Sequence, residues 1–258
     1  MAATSSYAVL LRDVATPGAE PICRAFRAFS HLTDADAIRL AANAQGILMR
    51  HLSVDEAKAL QQALVKEGVN AVLAKDDDLR LLPASQRLHH IELTHDALVI
   101  ADYVGRTTAV AWTEFSLVAA GAVPHVEISS VQTQRTAMRA HPLFGVWPRK
   151  VVETHNRLAT ERQFILELVV GNGTARYEIQ AHEFPFTNLG DRPTATLTDK
   201  FVGLVREMTR RAPQALLNRG ALDIRDGVVL VRGYPSRQQL LDEMIWLLWS
   251  RGHGPAAG

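Results

Sequence analysis

Ser53-Val54-Asp55-Glu56-Ala57-Lys58-Ala59-Leu60 begins with a capping box. The serine oxygen accepts from the Glu56 N–H, and the glutamate carboxylate accepts from the Ser53 N–H, so two donors that a helix start leaves orphaned are satisfied. Ala57, Leu60 and Leu64 then recur on one helical face, and Gly68 is placed to stop the helix in the left-handed conformation. Val69 to Ala74 reads as the strand that follows, and Ile47 to Leu52 as the strand before. Further out, Thr33 with Asp36 marks another helix start, Ile38, Ala41 and Ala42 give it a small apolar face, and Gly46 ends it. Pro21 suits a first helical turn, with Ile22, Phe26 and Phe29 at helical spacing behind it. Tyr7 to Leu11 is an opening strand, cut off by Thr16-Pro17-Gly18. The order is strand, helix, helix, strand, helix, strand. It requires crossover connections and a helical layer on a small sheet.

With these residues, that order resembles the C-terminal domain of the bacterial ribosomal stalk protein, most clearly over residues 22–75. The resemblance is carried by Arg24-Ala25-Phe26-Arg27, by Ser53 to Leu60, and by Leu64 with Gly68. It implies recruitment of a protein partner through a basic surface on the first helix pair, where Arg24 and Arg27 fall on positions the family keeps basic. The family's glycine-rich, lysine-bearing turn is replaced by His31-Leu32-Thr33-Asp34-Ala35, a capped and acidic corner, which argues against a ribosomal role. A similar architecture serves in an adaptor that delivers substrates to the Clp protease, so recruitment is the shared theme.

After a linker expected over 76–87, marked by Asp76-Asp77-Asp78 and Pro83, the periodicity changes from helical to alternating. Leu88, Ile91 and Leu93 lead to a turn at His95-Asp96. A strand from Leu98 to Tyr103 turns at Gly105-Arg106 into Thr107 to Trp112. Leu117 to Ala120 is a short apolar run, and Val123 to Ile128 a further strand with Pro124 confining it to an edge. Gly171-Asn172-Gly173 between Phe164–Val170 and Ala175–Ala181 is a hairpin signal. Phe184 to Phe186 reads as a short edge strand. Phe201, Leu204, Val205 and Met208 then form the apolar stripe of a helix closed by Pro213. Antiparallel strands followed by one capping helix, with Asp102, Gly105-Arg106 and Trp112, look similar to the pleckstrin-homology-like barrel. The expected division is 1–75, a linker at 76–87, 88–212, and 213–258 with a last helix from Ser236 to Ser250 and a disordered tail from Gly252. The fold class is α+β: a helix-backed sheet module, then an antiparallel barrel-like module with a capping helix and a C-terminal apolar helix.

The chain has 258 residues, and its net charge of +1 gives no global pull towards nucleic acid, which is not expected as a partner. Local charge is another matter. Ser129 to Lys150, read as a rigid irregular loop, holds Arg135, Arg139, Arg149 and Lys150 without an acidic residue, interleaved with Phe144 and Trp147. Such a segment suits an anionic surface, a nucleic-acid strand or an acidic peptide; its plainer reading is a loop pinned by Phe144 and Trp147, with the arginines merely solvated. His89, His90, His95 and Asp96 lack the spacing of a zinc site, since adjacent strand residues face opposite ways, so no metal is expected. Leu240, Leu241, Met244, Ile245, Trp246, Leu247, Leu248 and Trp249 wrap the last helix, which packs within the chain or forms a homodimer.

Cys23 is the only cysteine, and no nucleophile elbow, Walker loop or dinucleotide fingerprint is present. No cofactor and no catalytic residue are therefore expected. Residues 1–6 lack a secretory pattern, and Met244 to Trp249 falls far short of the roughly 20 apolar residues that span a bilayer. The expectation is a cytoplasmic, non-enzymatic adaptor using Arg24, Arg27, Arg135, Arg139, Phe144, Trp147, Arg149 and Lys150. A peripheral binder of anionic membrane or ligand, or a small-molecule-binding or enzymatic barrel, are the alternatives.

Overall fold

A computed structural model describes residues 6–13, 18–29, 32–79, 81–101, 106–141, 145–186 and 195–253, and between 126 and 160 the backbone alone. The N-terminal elements follow the expected order: β1 (Tyr7–Leu11), α1 (Ala19–Arg27), α2 (Asp34–Ala42), β2 (Ile47–Leu52), α3 (Val54–Lys66) and β3 (Ala71–Lys75). Their sheet has the order β2-β1-β3, with β1 antiparallel to both neighbours. β2 and β3 therefore run the same way on opposite flanks, and α3 is the crossover between them. The capping box forms as read: Ser53 N–H donates to Glu56 Oε2 at 2.8 Å, and Glu56 N–H donates to Ser53 Oγ at 3.3 Å. Thr33 Oγ1 accepts from Asp36 N–H at 3.2 Å to start α2. Ala8, Val9, Leu10 and Leu11 are all buried. Since successive strand residues face opposite ways, both faces of β1 are covered.

The second half holds β4 (Gln86–Arg87), β5 (Ile91–Leu93), β6 (Ala97–Ala101), β7 (Thr107–Ala111), β8 (Phe115–His141), β9 (Gly145–Val170), β10 (Ala175–Gln180), α4 (Leu197–Arg211), β11 (Leu216–Leu217), α5 (Arg219–Arg225) and α6 (Arg237–His253). β5, β6 and β7 form an antiparallel meander, and a five-stranded sheet has the order β11-β8-β9-β10-β4. The hairpin forms where Gly-Asn-Gly required it, with Val170 opposite Ala175 and φ of 59°, 55° and 94° at Gly171, Asn172 and Gly173. The protein is α+β.

Four readings are corrected. The segment 76–87 is more than a linker: Asp76–Asp78 make a 3-10 turn, Leu79 is buried, and Gln86–Arg87 pair in parallel with β10. Phe184 to Phe186 form no strand; an edge-on ring contact between the two phenylalanines holds that bend. Leu117–Ala120 and Val123–Ile128 belong to one strand that runs through Gly121 and Pro124. The irregular loop at 129–150 is strand on both sides of residues 142–144. Polar and basic composition hid an alternating backbone that, at this length, has no apolar face to betray it. Gly252 and His253 end α6, and the rest of the expected tail lies outside the described residues.

Two apolar cores use opposite faces of the five-stranded sheet. Leu117, Ala119, Val123, Ile165 and Val169 join the N-terminal elements and α6 in one core. Val118, Ala120, Ala122, Leu166, Leu168 and Val170 join the meander, α4 and α5 in the other. The N-terminal core thus continues past residues 76–87. By compactness the chain forms two units, residues 1–123 with 164–258, and residues 124–163.

α6 is anchored to the N-terminal sheet by Trp246, which is fully buried and donates from Nε1 to the Leu11 carbonyl at 2.7 Å. Its ring lies on Gly46, whose φ is +73°, and a Cβ there would come within 2.6 Å of the indole. Gly68 has nearly the same conformation, φ +76°, with nothing near its missing Cβ. Gly68→Ala should therefore cost roughly 1–2 kcal/mol, the left-handed strain alone. Gly46→Ala adds overpacking and should cost roughly 2–5 kcal/mol. Paired denaturant titrations of the two variants measure the difference; equal losses would mean that the indole does not rest on Gly46.

Candidate functional site

The basic face of the first helix pair is internally neutralised. Arg24 donates from Nε to Glu67 at 2.6 Å and pairs with Glu20 at 2.8 Å, tying α1 to the end of α3. Arg27 lies 3.3 Å from Asp34, and Arg39 lies 2.8 Å from Asp36. Asp34, at the start of α2, is what holds Arg27. Arg24 and Arg27 are half exposed and Arg39 more so, yet each already has a carboxylate.

Arg135 and Arg139 stand on β8, and Trp147, Arg149 and Lys150 on β9, in the separate unit 124–163; Phe144 lies outside the described residues. β8 and β9 are neighbours joined through 142–144, and a connection so short requires an antiparallel pair. Arg135 and Arg139, four residues apart, fall on one face of β8. Among the described residues no further strand pairs with β8 or β9 along this stretch. β11 pairs only beside Leu117 and Val118, and β10 pairs with β9 only from Ile165 onward. The sequence reading thus supplied the charges and missed that they lie on a strand pair.

Two buried polar clusters were not foreseen. Glu167 and Glu178 sit directly opposite each other on β9 and β10, both almost fully buried. Arg237, the first residue of α6, pairs with both: its distance to Glu167 is 3.2 Å, and it also bonds Glu178. Arg176 lies 3.3 Å from Glu167, while Ser85 and Gln180 donate to Glu178. Like charges face to face destabilise a strand pair unless cations are supplied, and here α6 and β10 supply them. The hairpin register foretold by Gly-Asn-Gly would have exposed this pair. In the second cluster Asn218 uses its whole amide. Its Oδ1 accepts from Ala120 and Ala221 N–H groups at 2.9 Å, and its Nδ2 donates to the Ala120 carbonyl and the Tyr234 hydroxyl. Tyr234 in turn donates to Glu243 at 2.6 Å. Both clusters join α6 to the five-stranded sheet; the carboxylates and Asn218 are buried, while Arg237 keeps part of its surface in solvent.

An open feature among the described residues is a cleft of about 500 Å³ between the end of α6, Asp78, Leu81 and Leu82, and the β9–β10 turn. Leu81, Leu82, Ile245, Leu248 and Trp249 give it apolar walls, and Asp78, Arg251 and His253 also line it. Its near wall is held in place by Asp76, whose N–H donates to the Ser6 carbonyl at 3.0 Å and whose carboxylate accepts from the His51 N–H at 3.1 Å. His51 takes a φ of 60° to make that bond. His95 and Asp96 are almost wholly exposed in the β5–β6 turn. No group of three or more metal-ligating side chains occurs among the described residues, and none of the described helices is long and apolar enough to cross a membrane.

No protein-family model, curated protein or solved structure matches the chain.

The carboxylate pair makes stability depend on pH. Burial pushes Glu167 up from the ordinary 4.5 to about 7; Glu178 adds to the rise, and Arg176 and Arg237 oppose it. A raised carboxylate binds its proton more tightly when folded, so its stabilising contribution is complete below about pH 4.5 and lost as pH rises to about 7. Glu178 is held below the usual range: its burial is outweighed by the bonds from Gln180, Arg237 and Ser85, so its contribution is lost on acidification. Chemical denaturation at a series of pH values should show stability declining from pH 5 to 7, and Glu167→Gln should flatten that limb. A slope unchanged by the substitution would mean that Glu167 titrates normally.

Proposed function

We propose that this chain is a non-catalytic adaptor that takes hold of an acidic partner protein on the paired strands of residues 124–163. One observation carries the reading. Between Ile128 and Val152 two neighbouring strands hold Arg135, Arg139, Arg149 and Lys150 and no Asp or Glu. Elsewhere the arginines first considered for recruitment, Arg24 and Arg27, already have carboxylate partners.

Open strand flanks favour a protein partner, because an added strand satisfies their main-chain donors and acceptors. Cations along such flanks discourage a second copy of the same chain and favour a strand or loop of opposite charge. α6, considered for a homodimer, has Leu240, Met244, Ile245, Trp246 and Leu247 buried within the chain.

The test uses the full chain with poly-L-glutamate as an acidic polypeptide and phosphatidylserine vesicles as the lipid comparison. Binding to the polypeptide should weaken as salt is raised. Reversing Arg135, Arg139, Arg149 and Lys150 to Glu should reduce it by about tenfold or more, equivalent to about 1.4 kcal/mol. Arg24→Glu with Arg27→Glu should leave binding within about twofold, since surface pairs contribute little. The opposite ranking would overturn the assignment to this strand pair, and a clear preference for vesicles would overturn the choice of a protein partner.

A further inference from the structure

We propose that the cleft beside Trp249 binds a small apolar zwitterion, a free hydrophobic amino acid or a short apolar peptide carrying both its ammonium and its carboxylate. Its volume of about 500 Å³ falls in the range of ligand sites, which combine apolar walls with a few polar groups that fix orientation. Part of the apolar wall is accessible: Leu81 is 83 % exposed, Leu82, Leu248 and Trp249 are partly exposed, and Ile245 is buried. The aromatic wall is fixed, because the His253 ring stacks on Trp249 at 4.7 Å and 9° and its Nδ1 lies 2.9 Å from the Trp249 carbonyl.

The charges decide the ligand class. Asp78 and Arg251 both line the cleft, and among the described residues neither has an ion-pair partner. They do not pair with each other, in a protein where Arg24, Arg27, Arg39, Arg210, Arg211 and Arg225 all do find carboxylates. A neutral apolar ligand would remove water from both charges and replace it with nothing. An anion alone would face Asp78, and a cation alone would face Arg251. A ligand with an ammonium for Asp78, a carboxylate for Arg251 and an apolar side chain for the leucines and Trp249 satisfies all three.

The site shares no residue with the strand pair 124–163, so either proposal can fail without the other. Calorimetric titration of the full chain with L-leucyl-L-leucine tests it. The dipeptide should bind, and capping either end, by N-acetylation or by C-terminal amidation, should weaken binding by about tenfold. Asp78→Asn should weaken binding of the free dipeptide but not of the N-acetyl form. Arg251→Gln should weaken the free dipeptide but not the amide. Thermal melts of both exposed-site variants should match the parent chain, separating loss of binding from loss of fold. Three results would each overturn the proposal: no heat of binding at about 10 mM dipeptide, weaker than any specific site of this size; equal binding of free and doubly capped forms; or binding of decanoate with none of the dipeptide.

Discussion

Trp246 lying flat on Gly46, with its indole N–H on the Leu11 carbonyl, is the contact on which the larger unit of this protein depends. The β2-β1-β3 sheet is too small to bury its own strands. β1 is apolar without alternation, so one face is left for something other than α1, α2 and α3 to cover. α6 lies among the residues of that core, and the same helix lies against the five-stranded sheet through Tyr234, Glu243 and Arg237. An indole can enter a backbone layer this closely only where a residue has no Cβ. That single absent methyl group lets a helix from the end of the chain complete a core begun by its first strand.

The polar anchors of α6 work differently from its apolar ones. Asn218, Tyr234 and Glu243 form a chain in which every side-chain donor and acceptor named above has a partner, so burial carries no penalty for an unmade bond. Glu167 and Glu178 are balanced less completely. Two carboxylates share two guanidinium groups inside the protein, and burial dominates the behaviour of Glu167. Buried ion pairs are weak evidence for stability but strong evidence that a geometry is specified, because removing one partner strands the other. Here the geometry specified is the seating of the first turn of α6 against β9 and β10.

What was legible in the sequence was local. The capping box at Ser53, the helix start at Thr33, the Gly171-Asn172-Gly173 turn and the stripe of α4 each depend on residues a few positions apart, and each forms as read. What was missed needed partners distant in the chain. Glu243 sits in a helix that looked apolar all round, and only the Tyr234 hydroxyl explains it. Arg211, at the end of α4, pairs with Glu207, bonds the Thr94 carbonyl and lies 5.5 Å over the Trp112 ring, joining α4 to the meander. The strands at 129–150 escaped because period-two reading relies on a dry face, and residues without one carry no alternation to read.

The same distinction orders the charges. An arginine with a carboxylate at 2.6–3.3 Å, like Arg24 or Arg27, has its electrostatic demand met within the fold and offers a partner little beyond packing. A guanidinium and a carboxylate that line one cleft without an ion-pair partner among the described residues, Arg251 and Asp78, have no such answer inside the fold. Counting basic residues in the sequence treats all of these alike and ranked the helix pair alongside 129–150. Sorting them by whether the fold has already paired them sets Arg24 and Arg27 aside, and it moves the search for partners away from the first helix pair. Among the described side chains, the cleft is where charges stand without an ion-pair partner, and the proposed role of the strand pair is to be judged by the same principle: a partner is sought where folding has not already matched the charge.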